Sequence, residues 1–285
     1  MTPRDLILKT ASRFREAGIP DPTEDSALIL SALLEGQAPL SLRVDDHTLL
    51  SDDVLDAYEQ LVSKRLTREP LQYLLRESVF YGRSFFVDPR VLIPRPETEW
   101  LCEWALETLK EFPSPRILDL CTGSGCIGLT LKAERPDASV TLSDLSRDAM
   151  AVADRNANRL GLEVLLSQGD LFENLPRTGY HLIISNPPYI PAADCESLQS
   201  EVRFEPPLAL NGGEDGLDLY RRIIADAIPY LLPGGWLMFE LGIHEALPVS
   251  SLAEAAGFTD LSVRQDLSGI DRMLRARVPL RRTHV

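Results

Sequence analysis

The sequence predicts an α/β protein: a mostly parallel, seven-stranded sheet wrapped by helices and preceded by a small helical domain. Three observations carry that prediction. Residues 1–75 show helical periodicity and no strand signal. From residue 116 onward, short apolar runs alternate with amphipathic helical stretches, the pattern of a parallel sheet covered on both faces. The last two apolar runs are joined only by residues 266–272, too short for a parallel crossover, so the final strand is expected to be antiparallel.

In the first 75 residues, Leu6, Ile7, Thr10, Phe14 and Ala17 recur at helical spacing, and Gly18 closes that helix. Pro22, Thr23, Glu24 and Asp25 open a second helix, whose apolar face is Ala27, Leu28, Leu30, Leu33 and Leu34. Residues 52–66 form a third through Val54, Leu55, Tyr58, Leu61, Val62 and Leu66. Residues 76–95 are a linker. Its aromatic, β-branched stretch 79–87 turns at Gly82 as a hairpin, and V-L-I-P-R-P at 91–96 stays extended because residues before proline avoid the α region. Pro96 and Glu97 start a helix to about residue 110, opening the 96–285 domain. Strands follow at 116–120, 140–143, 164–167, 180–185, 236–241, 261–265 and 273–278. Helices are expected at 126–134, 147–160, 217–231 and 245–256.

Composition narrows the function. With 29 Lys+Arg against 43 Asp+Glu, the net charge of −14 argues against broad binding to a phosphate backbone. The concentrations of arginine, Arg65 with Arg68 and Arg275, Arg277, Arg281 and Arg282, are expected on solvated faces. Cys102, Cys121, Cys126 and Cys195 form no C-x-x-C pair, which fits reduced thiols in a cytoplasm and no structural metal. The first ten residues lack a secretory h-region, and no apolar stretch reaches about 18 residues, so neither leader nor membrane span is expected.

The chemistry concentrates after three of the strands. Cys121-Thr122-Gly123-Ser124-Gly125 follows the first strand of the sheet, and with Gly128 it satisfies G-x-G-x-x-G. Glycines let the backbone approach a ligand. Asp144, at the end of the next strand, stands where a carboxylate accepts ribose hydroxyls. Asp170 and Leu171 follow the third strand; an acid beside apolar neighbours suits an adenine, although Asp170 could equally cap a helix. A dinucleotide and S-adenosylmethionine both place an adenosine here.

The fourth strand ends in Asn186-Pro187-Pro188-Tyr189, on the carboxyl edge where open α/β sheets bind ligands. Two prolines stiffen the backbone and leave only carbonyls, the Asn186 side chain offers an acceptor oxygen, and Tyr189 can pack on a planar group. Together they suit a planar –NH₂, a carboxamide or an exocyclic base amine.

These residues resemble class I S-adenosylmethionine-dependent methyltransferases acting on planar amine nitrogens. I-P-R-P-E-T-E at 93–99, E-V-R-F-E-P at 201–206, E-D-G-L-D at 214–218 and M-F-E-L-G at 238–242 narrow the resemblance to release-factor glutamine methyltransferases. It spans about residues 70–280, and the helical N-terminal part fits it too. The resemblance implies S-adenosylmethionine bound by Cys121, Thr122, Gly123, Ser124, Gly125, Asp144, Asp170, Leu171 and Asn186. It implies a substrate glutamine, in the Gly-Gly-Gln loop of class I peptide-chain release factors. Asn186 and the Pro187 carbonyl would accept its amide hydrogens, with Pro188 and Tyr189 beside them. Direct nucleic-acid and membrane partners are not implied. Two alternatives share the N-P-P-Y chemistry: a glutamine of a ribosomal protein, and an exocyclic amine of a nucleic-acid base. A nicotinamide-dependent oxidoreductase would rest on G-x-G-x-x-G alone. The family has Gly where this chain has Cys121, a substitution that costs about 1 kcal/mol or more if the position needs φ > 0. Arg95, Glu97 and Thr98 either line the site or cap a helix. The 1–75 bundle is expected to dock the protein substrate, and a chain starting near Glu77 to fold and bind cofactor without it.

Overall fold

The computed structural model describes residues 1–34, 49–177 and 179–280. They form two compact units: Met1–Glu77 with Gln199–Phe204, and Ser78–Leu198 with Glu205–Val285. Among the described residues no helix is long and apolar enough to cross a membrane.

The first unit is helical, with α1 (Pro3–Glu16), α2 (Pro22–Leu33), α3 (Asp52–Leu66) and α4 (Leu71–Leu75). Thr2 caps α1 by accepting the Asp5 amide proton, and Ser51 caps α3 by accepting from Val54. The apolar stripes read from the sequence meet in a core where Phe14, Ile29, Leu30, Tyr58 and Val62 are fully buried. The expectation that Arg65 and Arg68 are solvated is wrong. Arg65 is 5% exposed and donates to Asp25 at 2.8 Å and to Glu201 at 3.1 Å. Arg68 donates to the other Glu201 oxygen at 2.8 Å and to the Gly18 carbonyl. Glu201 belongs to the segment Gln199–Phe204, which lies among these helices although it follows N-P-P-Y in the chain. A chain cut near Glu77 would therefore leave that segment without Arg65 and Arg68, contacts the sequence expectation did not include. Removing one member of a buried ion cluster leaves the others uncompensated. Arg65→Ala is thus expected to destabilise the helical unit by about 3–5 kcal/mol. Hydrogen exchange of the α2 and α3 amides measures this, and a loss below about 1 kcal/mol would place the cluster with exposed pairs.

The second unit begins with a hairpin of β1 (Ser78–Phe80) and β2 (Arg83–Phe85), followed by α5 (Pro96–Leu109). Then come β3 (Arg116–Leu120), α6 (Cys126–Glu134), β4 (Ser139–Asp144), α7 (Arg147–Leu160), β5 (Leu165–Gln168) and β6 (Tyr180–Ser185). After α8 (Asp218–Ala227) follow β7 (Leu231–Glu240), α9 (Ala246–Ala255), β8 (Thr259–Gln265) and β9 (Asp271–Arg277). The sheet order is β5-β4-β3-β6-β7-β9-β8, and β9 runs antiparallel to both neighbours. The strand that is last in sequence is thus inserted beside β7, with β8 at the edge.

Period-2 alternation gives the sheet two buried faces. Leu118, Leu120, Ile183, Phe239 and Leu274 pack with α8 and α9 residues on one side. Ile117, Leu182, Ile184 and Met238 pack with Trp104 of α5, Leu129 of α6 and Ala153 of α7 on the other. β7 starts five residues before its sequence-predicted start, because Leu231 pairs with Tyr180 ahead of the irregular Pro233-Gly234-Gly235 stretch. The preceding α-helix correspondingly ends at Ala227, where Pro229 enters a 3₁₀ turn. Arg275 and Arg277 are not solvated as expected. Their guanidinium groups lie 4.6 and 4.8 Å from the Trp236 ring centroid, and Arg277 donates to Glu111. Arg281 and Arg282 lie outside the described residues.

Candidate active site

The site is set by where the strand order reverses. β3, β4 and β5 are laid out in one direction from β3, whereas β6 is added on its other side. Crossovers diverge there and leave a crevice at the carboxyl ends. Leu120 pairs with Ser185, and the Ser185 hydroxyl donates to the Leu120 carbonyl at 2.8 Å. The glycine turn begins one residue after Leu120 and N-P-P-Y one residue after Ser185, so the register alone sets the two motifs side by side.

The turn is held from beneath. Asp119 is fully buried; its Oδ2 accepts from the Thr122 hydroxyl at 2.6 Å and from the Gly128 amide at 2.9 Å. Burial pushes its carboxyl up to about 7. Asn156, fully buried on α7, donates to the Ser124 carbonyl and the Phe86 carbonyl and accepts from the Phe86 amide. It ties the turn to the linker. Sequence reading missed Asn156; its signal was a lone amide on the apolar face formed by Ala149, Val152, Ala153 and Ala157.

Cys121 has φ +56°, inside the left-handed region. The condition attached to this departure from the family pattern is therefore met: the position costs a β-carbon-bearing residue about 1–2 kcal/mol. Burial pushes its thiol pKa up. Cys121→Gly and Cys121→Ala both lose the thiol, and only the glycine relieves the backbone. We expect the glycine variant to be more stable than the alanine variant by about 1 kcal/mol in urea denaturation. Equal stabilities would show that the turn relaxes around a side chain.

Asp144 sits at the end of β4, half-buried. Its Oδ2 accepts from the Gly123 amide at 2.9 Å and its Oδ1 from the Ser146 amide at 2.8 Å. Burial raises its pKa, opposed by those backbone donors. The carboxylate thus also shapes the glycine turn, a role its sequence position did not reveal. Asp170 forms an ion pair with Arg222 at 2.8 Å and precedes a turn rather than a helix: the Glu173 amide donates to the Asp170 carbonyl at 3.0 Å, and the Glu173 carboxylate accepts from the Asp170 amide.

These parts surround a cavity of about 430 Å³, within the range of about 300–1,000 Å³ common for small-molecule sites. Cys121, Thr122, Gly123 and Ser124 form one wall, Asp144 and Leu145 a second, and Asp170 and Leu171 a third. Asn186 and Pro188 border it together with Arg95 and Thr98. Gly125, Pro187 and Tyr189 do not line it. Gly125 is the buried start of α6, Pro187 is buried, and Tyr189 packs half-buried against the apolar core.

The N-P-P-Y segment is held by backbone. Ile190 accepts from the Gly212 amide at 2.8 Å and donates to the Leu210 carbonyl at 2.9 Å. A β-carbon on Gly212 would stand 2.7 Å from Tyr189 Cα and 2.8 Å from the Pro188 carbonyl, so only glycine permits this approach. Arg95 and Thr98 settle on the cavity wall, whereas Glu97 is exposed. Arg95 pairs with Glu205, a 3% exposed carboxylate that also accepts from the Ile93 amide. I-P-R-P and E-V-R-F-E-P therefore meet at Glu205. Glu240, 3% exposed at the end of β7, accepts from the Thr98 hydroxyl at 2.5 Å, and the Asn186 amide nitrogen lies 3.5 Å from that hydroxyl.

Residues 102–203 match the Methyltransferase small domain family, and residues 5–75 match the PrmC N-terminal domain. A protein of Geobacter sulfurreducens named release factor glutamine methyltransferase is 44% identical over 279 residues, 97% of each chain. One of the same name in Deinococcus radiodurans is 40% identical over 96% of this chain and 98% of its own. A methyltransferase of Pyrococcus furiosus has a related fold at a TM-score of 0.52 and 17% identity, covering 71% of this chain and 92% of that one. At that identity the likeness concerns the fold alone.

Proposed function

The chain belongs to the release factor glutamine methyltransferase family and is a protein-glutamine N-methyltransferase; from that premise we propose that it methylates the glutamine of the Gly-Gly-Gln loop of class I peptide-chain release factors, with S-adenosylmethionine as donor. The observation that carries the reading is the β3–β6 register. It puts an Asn-Pro-Pro acceptor element directly beside a glycine turn and its cavity.

The cavity suits the proposed donor. Asp144 has a carboxylate for the ribose hydroxyls, Leu145 and Leu171 flank it as apolar surfaces for adenine, and Asp170 offers an acceptor for the exocyclic amine. Thr122, Gly123 and Ser124 present backbone where the rest of the molecule would run. When bound, S-adenosylmethionine supplies an electrophilic methyl carbon.

The residues of the chain supply positioning and charge stabilisation. An amide nitrogen is a weak nucleophile because its lone pair is delocalised. The Asn186 oxygen and the Pro187 carbonyl would accept both N–H groups and favour the pyramidal, charge-developing form. Fixed prolines keep those acceptors from relaxing, which is the entropic part of the acceleration. Tyr189, half-buried against the apolar core, would brace the element from behind. No general base is required if the proton leaves after transfer. The helical unit is proposed to enlarge the protein-recognition surface, since one glutamine on a loop offers far less than the roughly 800 Å² per partner of a stable interface.

Transfer of labelled methyl to a purified class I release factor, a ribosomal protein and RNA tests the reading. Label confined to the Gly-Gly-Gln peptide of the release factor is the expected result. Label on the ribosomal protein or RNA alone would replace it with one of the alternatives.

A further inference from the structure

The Thr98 hydroxyl donates to Glu240 and lies 3.5 Å from the Asn186 amide nitrogen, on the cavity wall beside the catalytic element. We propose that this pair positions the catalytic asparagine by dictating which edge of its amide faces the substrate; the proposal rests on the glutamine-methyltransferase reading above.

The argument is one of hydrogen-bond direction. An ionised carboxylate only accepts. Glu240 Oε2, 2.5 Å from the Thr98 hydroxyl, therefore takes that group's single proton. What remains on Thr98 Oγ1 toward Asn186 is a lone pair. The Asn186 edge facing it must then be –NH₂, and the nitrogen does lie there, at 3.5 Å. Asn186 also favours the ionised form of Glu240. An amide flipped by 180° would aim its oxygen at a lone pair and a carboxylate. With –NH₂ committed inward, Oδ1 faces the cavity as an acceptor.

The orientation matters because the two amide edges have opposite polarity. A flipped Asn186 would present donors to a substrate –NH₂, which is itself a donor. Neither Asn-Pro-Pro-Tyr nor its backbone contacts prevent that flip; Thr98 and Glu240 do. Thr98 is placed for this by α5, and Glu240 by β7, next to β6 in the sheet. Burial pushes the Glu240 carboxyl up to about 7, so the assay belongs at pH 8.5, where it is ionised.

Three variants of the full chain test the relay: Thr98→Val, which keeps the shape and loses the hydroxyl; Thr98→Ser, which keeps the hydroxyl; and Glu240→Gln. On a Gly-Gly-Gln peptide, Thr98→Val is expected to lower kcat about 10-fold or more and to raise the peptide KM, with S-adenosylmethionine affinity within about twofold of the parent. Thr98→Ser should stay within about threefold of the parent. Glu240→Gln should resemble Thr98→Val. The double variant should lose no more than the worse single one, as for two residues acting through one chain. Proton-exchange rates of the Asn186 side-chain –NH₂, read by NMR, supply a signature independent of turnover: slow in the parent and in Thr98→Ser, fast in Thr98→Val. A near-parental kcat for Thr98→Val, a Thr98→Ser as impaired as Thr98→Val, or unchanged exchange would overturn the proposal. If the parent leaves the peptide unmethylated, the functional reading fails, and the exchange rates still decide the orientation.

Discussion

Asn186→Ala is expected to lower the methyl-transfer turnover number by about 10²–10³-fold while leaving S-adenosylmethionine affinity within about threefold. The magnitude is that of removing one preorganised electrostatic partner from a site where charge develops. The amide nitrogen gains positive charge as its bond to the methyl carbon forms. In the proposed mechanism an acceptor fixed by Pro187 and Pro188, and aimed by Thr98, would stabilise that charge without reorganising. Alanine leaves at best a mobile water in its place. The fold should survive, because Asn186 is half-buried at the rim of the cavity, whereas Ser185 before it carries the β3 contact. Single-turnover kinetics on a Gly-Gly-Gln peptide would measure the effect. A near-normal rate would remove Asn186 from the mechanism, and a lost fold by circular dichroism would mean that the residue is structural.

The second large effect is expected at Asp144. Asp144→Ala should weaken S-adenosylmethionine binding by about 1.5–3 kcal/mol, a factor of about 10–150, through the loss of charged hydrogen bonds to the ribose. The geometry adds a second contribution. The same carboxylate accepts from the amides of Gly123 and Ser146, so alanine also loosens the glycine turn against which the ligand lies. Asp144→Asn separates the two, since it keeps an acceptor for one loop amide but loses the charge, and it should fall between parent and alanine. Calorimetric titration measures all three. Unchanged affinity in Asp144→Ala would refute the ribose role.

Much of the site was legible as motif. The glycine turn, Asp144 and Asn-Pro-Pro-Tyr each follow a strand, and a strand end is recognisable because an apolar run gives way to Gly, Pro or Asn within a few residues. Asn156, Gly212 and the role of Glu205 were not legible. Asn156 is an amide in an apolar helix face, and only its partners at Phe86 and Ser124, 70 and 32 residues away, show that it is a tie rather than an anomaly. Glu205 stands out as part of E-V-R-F-E-P, but what it does becomes legible only once Arg95 and the Ile93 amide, more than 100 residues earlier in the chain, surround it. The misjudged arginines have the same origin. Composition marks Arg65 as charged, but its burial follows from Asp25 and Glu201, 40 and 136 residues away.

The sequence by itself determined the class of fold, the order of strands and helices, the antiparallel final strand and the identity of the chemical groups. These follow from periodicity, proline and glycine, whose constraints act within a few residues. Tertiary structure alone decided which motifs become neighbours, which carboxylates lose water, the left-handed backbone at Cys121 and the amide edge of Asn186 that meets Thr98. Those depend on desolvation and hydrogen-bond direction, and both are set by partners distant in the chain: Thr98 and Glu240 are 142 residues apart, yet they share one proton's direction behind Asn186.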